Sequence, residues 1–333
     1  MKNLWLICAL ACSCGQGATL SDRAATGSDL VASNGEQLNG EQLNGEQLNG
    51  EQLNGTGANG PGMAFDIDHA FFAGASLDHG RTLDSAWLEG SVFHGLIGSR
   101  EFSGEDFEKA QFRAVTIAGT PVRLRIIAIG QEAFPDDDVW TNQVQILNAQ
   151  GNWVPLCRNA NGAPVPAIAL AGRWNYGRGV PGGGDHVDDP GAFTFACEGL
   201  GAIAKCAFPI GYKPWKTVRG ISLARHHEAC VRMLRADYCG DGTPWTQDGR
   251  KIDVWDAVGI QQMSRPLWLF EAEWDGDGAN CVSKERVISL RNLLGTVSPC
   301  ILSKVNLFCG NPFDFQRGTL LMDRFQSPGV GLF

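Results

Sequence analysis

The sequence contains no run of lysine or arginine along its 333 residues. Its 36 acidic residues outnumber its 27 basic residues, which gives a formal charge of −9 and a pI near 5.2. Proteins that bind nucleic acid draw much of their affinity from clustered cations that contact phosphates. The composition therefore argues against nucleic acid as a partner.

The N-terminus lacks an apolar stretch long enough to span a bilayer. Residues 4–11 are apolar and follow a single lysine, but a transmembrane helix needs roughly 20 such residues. The run ends at Cys12 and Cys14, each preceded by a small residue, which resembles the signal of bacterial lipoproteins. We therefore expect residues 1–14 to be a lipoprotein-like signal, with either cysteine lipidated, that directs the chain to the outer membrane. An ordinary cleaved secretory signal is the alternative.

No Cys-x-x-Cys pair occurs after the signal region, which argues against zinc-ribbon and thioredoxin-like chemistry. Three of the eleven cysteines lie in the signal region, which leaves eight. An exported chain with an even number of cysteines is expected to pair them as disulfides, although their spacing does not choose among the possible pairings. The eight are Cys157, Cys197, Cys206, Cys230, Cys239, Cys281, Cys300 and Cys309.

Four copies of a five-residue EQLNG unit fall within residues 35–55. Leucine appears only once in each unit, so the segment cannot bury enough apolar surface to offset the ordering of its backbone. We expect residues 15–62 to be a flexible spacer, with a pentapeptide-repeat solenoid as the alternative. The five-residue period resumes over residues 83–112. This predicts a pentapeptide-like β segment over 63–113, either a short β-solenoid or an irregular β meander.

From residue 114 the pattern changes to β-branched, alternating runs separated by turns, as in PVRLRIIAIG at 121–130. Three later segments, 221–236, 252–262 and 282–295, have the apolar spacing of amphipathic helices. Strands first and helices later predict an α+β fold over 114–333. We expect this domain to be β-rich and disulfide-bonded, with a few later helices.

The stretch HHEACVRMLRADYCGDG at 226–242 concentrates histidines, cysteines and acids. His226, His227 and Asp241 are the candidate catalytic residues, because an imidazole and a carboxylate can act together in proton transfer. On a helix, however, His227 and Cys230 occupy the centre of an apolar stripe. This position predicts a structural histidine and a covalently paired cysteine.

The two cysteines of this stretch cannot bond to each other on a continuous helix. At about 1.5 Å rise per residue, Cys230 and Cys239 lie too far apart for a disulfide. Either each has another partner, or the chain reverses immediately after Ala236. Gly240 and Gly242 are expected to stop the helix.

Four residues outside this stretch are candidates for binding. Asp185 and His186 lie in an acidic, glycine-rich loop. We expect a solvated surface loop, with a binding site for a hard cation as the alternative. Trp215 and Trp245 lie in turn-rich segments, where flat aromatic rings either stack on sugars or brace loops. We expect no metal and no other cofactor.

The string Ala-Asp-Tyr-Cys at 236–239 lies within RADYCGDGTPWTQDG. Further blocks are WVPLC at 153–157, VPGGGDH at 180–186, FTFACEG at 193–199, AKC at 204–206, GYKPW at 211–215 and FEAEW at 270–274. Together they resemble the ADYC domain family of bacterial exported proteins over residues 115–310. The family has no established activity, so the resemblance implies a domain and an exported destination but no catalytic residues.

These observations favour an envelope-anchored lipoprotein whose domain is a non-catalytic binding or scaffolding module. Its expected partners are the membrane, through the lipid anchor, and an envelope protein or glycan. The alternative is a cell-envelope hydrolase or transferase that uses His226 or His227 with nearby acids, including the Asp185 and His186 pair. The two classes differ in whether these side chains share one cleft.

Overall fold

The computed structural model describes residues 67–159, 161–246, 251–286 and 298–326. The signal with Cys12 and Cys14 and the EQLNG spacer lie outside the described residues. Within the described part of the chain, no helix is both long enough and apolar enough to cross a membrane.

Strands dominate the described chain, and short helices are placed between them. In chain order the strands are β1 Ile67–Leu77, β2 Arg81–Thr82, β3 Ser85–Glu89, β4 Val92–Ile97, β5 Arg100–Ser103, β6 Gln111–Thr116, β7 Pro121–Gln131, β8 Trp140–Leu147, β9 Trp153–Pro155, β10 Ala167–Ala171, β11 Arg173–Trp174, β12 His186–Val187, β13 Ala192–Cys197, β14 Thr217–Val218, β15 Ile221–Ser222, β16 Ile252–Asp256, β17 Leu269–Asp275, β18 Gly278–Val282 and β19 Leu321–Phe325. The α-helices are α1 Ala202–Ala207, α2 Ala224–Arg235 and α3 Pro299–Lys304, and 3₁₀ helices occupy Asp78–Gly80, Gly104–Phe107 and Pro312–Arg317.

Six antiparallel strands form a closed barrel in the order β10, β13, β1, β6, β7 and β8. The barrel closes because β8 pairs with β10 through Asn142 opposite Ala167 and Thr141 opposite Ile168. Strand β6 spans residue 113, so the segment predicted as 63–113 shares its sheet with the strands that follow it.

Phenylalanine fills the interior of the barrel. Phe93 lies 5.1 Å from both Phe112 and Phe193, measured between ring centroids, and Phe107 and Phe195 complete the cluster. All five rings are almost fully buried. This apolar interior is called the barrel core below.

The five-residue period over 83–112 corresponds to a meander. Strands β3, β4 and β5 form a three-stranded antiparallel sheet, whereas successive coils of a solenoid would pair in parallel. This antiparallel pairing favours the meander interpretation over the β-solenoid interpretation for these three strands. The periodic apolar positions Leu83, Phe93, Phe102, Phe107 and Phe112 are nevertheless buried, because they face the barrel core.

A second core lies on the outer side of the barrel wall. Helix α2 packs against a four-stranded antiparallel sheet of order β16, β19, β17 and β18. Val231, Leu234, Ile252, Trp274 and Leu321 lie in this interior, which is called the helix core below.

Strand β10 separates the two cores. Ala167 and Ala169 face the barrel core, while Ile168 and Leu170 face the helix core. Because side chains alternate along a strand, a wall between two cores must be apolar at every position.

Four disulfides are present, and they account for all eight cysteines that follow the signal region. They join Cys157 to Cys197, Cys206 to Cys230, Cys239 to Cys300 and Cys281 to Cys309. The prediction of a disulfide-bonded domain is confirmed. Four disulfides indicate an oxidising, exported environment.

The prediction of an amphipathic helix over 221–236 is confirmed for Ala224–Arg235, which form α2, whereas Ile221–Ser222 form strand β15. The prediction of a helix over 252–262 is wrong, because Ile252–Asp256 is a strand. Ile252 and Val254 are buried in it. Asp253 accepts hydrogen bonds from the backbone N–H groups of Ser264 and Arg265. Most of the segment 282–295 lies outside the described residues, and Val282 itself ends strand β18.

The predicted order of strands first and helices later is also wrong. Four strands, β16 to β19, follow helix α2 and provide the sheet on which it packs. The domain is β-rich with a few helices, as expected, but its helices are inserted among the strands.

Candidate functional site

A partly enclosed cavity of about 160 Å³ lies where the first turn of α2 meets the β11–β12 hairpin and the loop before β14. Four aromatic rings and one carboxylate form most of its wall. The rings belong to Trp174, His186, Trp215 and His227, and the carboxylate to Glu228. Two of these residues, His186 and Trp215, are predicted binding residues, and a third, His227, is a predicted catalytic candidate.

Small residues keep the space between these rings open. Gly90 from the β3–β4 turn, Ala171 at the end of β10 and Ala224 at the start of α2 complete the lining together with Pro214. The cavity therefore draws its wall from the meander, from the barrel and from the helix core. It lies at the junction of the two cores, a common position for ligand sites.

His227 is held in one tautomer. Its Nε2–H donates to the backbone oxygen of Ile203 at 2.8 Å, so Nδ1 carries a lone pair. Burial lowers the pKa of His227 to about 4, so the ring is neutral at physiological pH.

His186 is fixed by two hydrogen bonds. Its Nε2–H donates to the backbone oxygen of Ala171 at 3.0 Å, and its backbone N–H donates to Oε1 of Glu228 at 3.1 Å. The other oxygen of Glu228 accepts from Arg225 at 2.9 Å. The only acid in the wall is therefore already paired with a cation.

The two tryptophans differ in how their N–H groups are used. Trp174 pairs with His186 across the β11–β12 hairpin, is 2% exposed, and has an indole N–H without an acceptor among the described residues. Trp215 is half-buried, and its N–H donates to Asp138 at 2.8 Å.

Asp138 anchors the loop that carries Trp215. Lys213 donates to this carboxylate at 2.6 Å, and Lys216 lies 3.2 Å from it. Burial alone would raise the pKa of Asp138, but the bonds from Lys213 and Trp215 outweigh burial and lower it. Asp138 therefore stays ionised and holds Trp215 in place.

The three predicted catalytic residues are not brought together by their contacts. His226 stacks on Tyr212, whose hydroxyl donates to Asp256 at 2.8 Å. Asp241 accepts backbone N–H bonds from Thr243 and Gly179, each at 2.9 Å. None of these contacts reaches His227 or the cavity wall.

The remaining predicted binding residues also lie apart from the cavity. The Asp185 carboxylate accepts a hydrogen bond from the buried Arg232 and does not join His186 at the cavity. A hard cation bound by Asp185 would have to compete with this guanidinium. Trp245 is half-buried and packs against the helix core. Among the described residues, one group has metal-ligand spacing, Glu273 with Cys281 and Cys309, but the two cysteines form a disulfide.

The Ala-Asp-Tyr-Cys string lies in the helix core, where it ends α2. Ala236 adopts the left-handed conformation at φ 51°, so the helix stops there and not at the glycines that follow. Asp237 is fully buried and accepts from Arg232 at 2.5 Å and from the backbone of Gly242 at 3.0 Å. The carboxylate thus fixes the turn that reverses the chain.

The other two residues of the string also have structural contacts. The Tyr238 ring stacks on Trp274 at 5.2 Å, and its hydroxyl donates to Glu271 at 2.8 Å. Cys239 bonds to Cys300. Every side chain of the string beyond Ala236 is therefore committed to the fold.

Six of the nine residues of the cavity wall were not among the predicted site residues, and Trp174 and Glu228 are the two of these with polar side-chain atoms. Glu228 lies on the polar side of α2 in the sequence pattern, and Trp174 is one of several tryptophans near turns. In the sequence, Trp174 and His186 flank a glycine-rich loop, but this arrangement alone does not show that the two residues pair across a hairpin.

No curated protein and no solved structure matches the chain. The model of the ADYC domain family matches residues 104–288, which is more than half of the 333 residues and includes every cavity residue except Gly90. The chain therefore belongs to the ADYC domain family.

Proposed function

We propose that this protein is an envelope-anchored lipoprotein whose ADYC domain is a non-catalytic binding module, and that its ligand enters the cavity between the two cores. The observation that carries the proposal is the cavity itself. Hydrogen bonds hold three of its rings in place without a ligand. His227 donates to Ile203, and His186 donates to Ala171. Trp215 donates to Asp138. A preformed site loses little conformational entropy on binding.

The chemistry of the wall favours binding over catalysis. No serine, threonine, cysteine or lysine is among the residues that line the cavity. A general base works best with a pKa near the operating pH, whereas the pKa of His227 is lowered to about 4. The Glu228 carboxylate is paired with Arg225 and bonded to a backbone N–H. The wall thus lacks both a nucleophile and an active base.

The proposed anchor rests on the sequence of the signal and on the disulfides. Acylation at Cys12 or Cys14 would hold the domain at the membrane surface, with the spacer between them. Mass spectrometry of the N-terminal peptide from the purified protein should find a lipid-modified cysteine. An unmodified N-terminus downstream of Cys14 would contradict the anchor and leave the domain secreted.

The binding proposal is tested with benzene as a probe, because an apolar cavity of about 150 Å³ accommodates this molecule. NMR titration of the full-length chain should show saturable shifts at residues of the cavity wall. Ala224→Leu places a larger side chain in the cavity and should abolish the shifts. Ala118→Leu, in an exposed turn, is the matched control and should bind like the parent.

Two outcomes would overturn the proposal. Equal shifts in the Ala224→Leu variant would show that benzene binds elsewhere. Alternatively, turnover of p-nitrophenyl acetate that disappears in a folded His227→Gln variant would establish a hydrolase.

A further inference from the structure

We infer that the disulfide between Cys281 and Cys309 is a site of thiol–disulfide exchange with an external dithiol, and that Glu273 supplies the proton to the leaving sulfur. None of these three residues lines the cavity, so the inference does not depend on the proposed binding function. Reduction at this site would break the covalent link between strand β18 and the loop that carries Cys309.

The four disulfides differ in how accessible they are. Two of them are buried, whereas the other two, Cys281 to Cys309 and Cys239 to Cys300, are half-buried. Residues 306–308, which directly precede Cys309, are exposed. Exposed disulfides exchange more readily than buried ones, because a thiolate must reach one of the sulfurs. The half-buried pair at Cys309 therefore lies in a loop that an external thiolate can approach.

A buried carboxyl group lies beside this disulfide. Glu273 on β17 is directly opposite Cys281 on β18, so their side chains lie on the same face of the sheet. An oxygen of the Glu273 carboxyl group and the sulfurs of Cys281 and Cys309 all lie within 4.8 Å of one another. One water molecule can bridge such a distance and pass a proton along it. The other half-buried disulfide has no carboxyl group in this position among the described residues.

Hydrogen bonds hold the Glu273 carboxyl group in place. One oxygen accepts from the backbone N–H of Gly310 at 2.6 Å, and the other accepts from the Thr319 hydroxyl at 3.0 Å. Burial raises the pKa of Glu273, these two bonds oppose the increase, and the negative charge of Asp314 adds to it. Asp314 lies on the 3₁₀ helix Pro312–Arg317 and is paired with Arg317 at 3.1 Å. Glu273 therefore keeps its proton to a higher pH than an exposed glutamate does.

The exchange takes place in two steps. A thiolate of the dithiol attacks the sulfur of Cys309, forms a mixed disulfide with it and breaks its bond to Cys281. The electron pair of the broken bond goes to the Cys281 sulfur, which takes a proton from Glu273. The second thiol of the dithiol then returns a proton to Glu273 and attacks the mixed disulfide, and Cys309 leaves and takes a proton from solvent. The dithiol is oxidised to a disulfide, and the two cysteines are reduced to thiols by the two electrons that it loses.

The test is timed reduction of the folded, full-length chain with dithiothreitol, followed by alkylation and mass spectrometry of each disulfide. Cys281–Cys309 should be reduced at least tenfold faster than Cys239–Cys300, which is the internal control because it is also half-buried but lacks the carboxyl group. Glu273→Gln keeps the size of the side chain but removes the acidic proton. It should slow reduction of Cys281–Cys309 at least fivefold at pH 6 and leave the control disulfide unchanged. Glu101→Gln, at an exposed position on β5, is the matched control variant and should change neither rate.

The dependence on pH separates proton donation from charge repulsion. The ratio of the two reduction rates in one sample removes the effect of pH on dithiothreitol itself. In the parent this ratio should fall as the pH rises from 5 to 8, because Glu273 loses its proton. In Glu273→Gln the ratio should be lower than in the parent at pH 5 and should stay constant over this range.

Three results would overturn the inference. Reduction of Cys281–Cys309 no faster than that of Cys239–Cys300 would show that the first disulfide is not a preferred site of exchange. A folded Glu273→Gln variant that is reduced as fast as the parent at every pH would show that the carboxyl group does not supply the proton. If the variant does not fold, the parent decides, and a ratio that is constant with pH contradicts the role of Glu273. None of these results affects the cavity, which is tested with benzene.

Discussion

The two cores of this domain bury their interiors in different ways. The barrel core is apolar and is built around a cluster of phenylalanine rings that includes Phe93 and Phe112. The helix core contains a fully buried ionic cluster in which Arg286 contacts Glu271 at 2.9 Å and Asp323 at 3.2 Å. The difference shows that one domain can place hydrophobic packing and buried charge on opposite sides of a single strand, β10.

The ionic cluster is stable because every donor of Arg286 has an acceptor. Besides the two acids, the guanidinium donates to the backbone oxygens of Met233 and Leu234 at the end of α2. Burial and the charge of Glu271 raise the pKa of Asp323 well above its usual range. The shift reflects the cost of burying a second carboxyl group beside Glu271, which the charge of Arg286 opposes.

Removal of Arg286 should produce the largest loss of stability. Arg286→Met leaves Glu271 buried without its counter-ion, which typically costs about 3–5 kcal/mol. Phe112→Leu in the barrel core changes only packing and should cost about 1 kcal/mol, with little dependence on pH. Urea denaturation at pH 7 and pH 5 measures both. The contrast between the cores would be wrong if the two variants lost equal stability at both pH values.

The disulfide between α1 and α2 should make the next largest contribution. Cys206 and Cys230 are separated by 24 residues, and closing a loop of that length contributes roughly 3.5 kcal/mol by restricting the unfolded chain. The double variant Cys206→Ala with Cys230→Ala should lose about that amount in urea denaturation. An unchanged transition midpoint would show that packing in the helix core alone holds the two helices together.

His227 should give the helix core an acid sensitivity that the barrel core lacks. The pKa of His227 is about 4 in the folded chain and about 6.5 when unfolded, so the unfolded chain binds a proton that the folded one does not between these values. Stability from this source is complete above pH 6.5 and is lost as the pH falls towards 4, by about 3 kcal/mol.

The control for this effect is His227→Gln, which does not titrate. The difference in free energy of unfolding between parent and variant should shrink as the pH falls from 7 to 4 in a series of urea titrations. A difference that stays constant over this range would show that the histidine is exposed to protonation in the folded state.

The smallest effect is expected where the barrel side meets the cavity. Gly90 lies at φ 65°, and a Cβ there would come within 3.2 Å of Cδ1 of Trp215. Gly90→Ala should cost about 1.5 kcal/mol and also weaken binding of benzene. Gly98→Ala is the matched control, because Gly98 has φ 60° with nothing within 4 Å of the added Cβ. It should cost about 1 kcal/mol in thermal unfolding and leave benzene binding unchanged. Equal effects of the two variants on benzene binding would show that the β3–β4 turn is not part of the ligand site.

Local patterns in the sequence predicted local elements well. Alternation over 121–130 corresponds to β7, and the apolar stripe of 221–236 corresponds to α2 with His227 and Cys230 both buried. The period of five over 83–112 correctly marked buried positions even though it did not indicate how the strands pair. These features depend on neighbouring residues, so the sequence carries them directly.

Features that depend on long-range pairing could not be predicted in the same way. Trp174 meets His186 only because β11 and β12 form a hairpin, and the cavity exists only because that hairpin packs beside α2. The 252–262 segment has helical spacing, but pairing with β19 makes its first half a strand. The role of Asp237 likewise depends on Arg232 and the turn that follows, which no spacing rule reveals.

The central claim is that the ligand site lies at the junction of the two cores while the Ala-Asp-Tyr-Cys string maintains the fold. The most direct test is ¹⁹F NMR of the chain labelled with 5-fluorotryptophan, with resonances assigned by single Trp→Phe variants. On addition of benzene, the resonances of Trp174 and Trp215 should shift, and that of Trp274, which stacks on Tyr238 of the string, should not. A shift at Trp274 with Trp174 and Trp215 unchanged would contradict the account and place the site at the string.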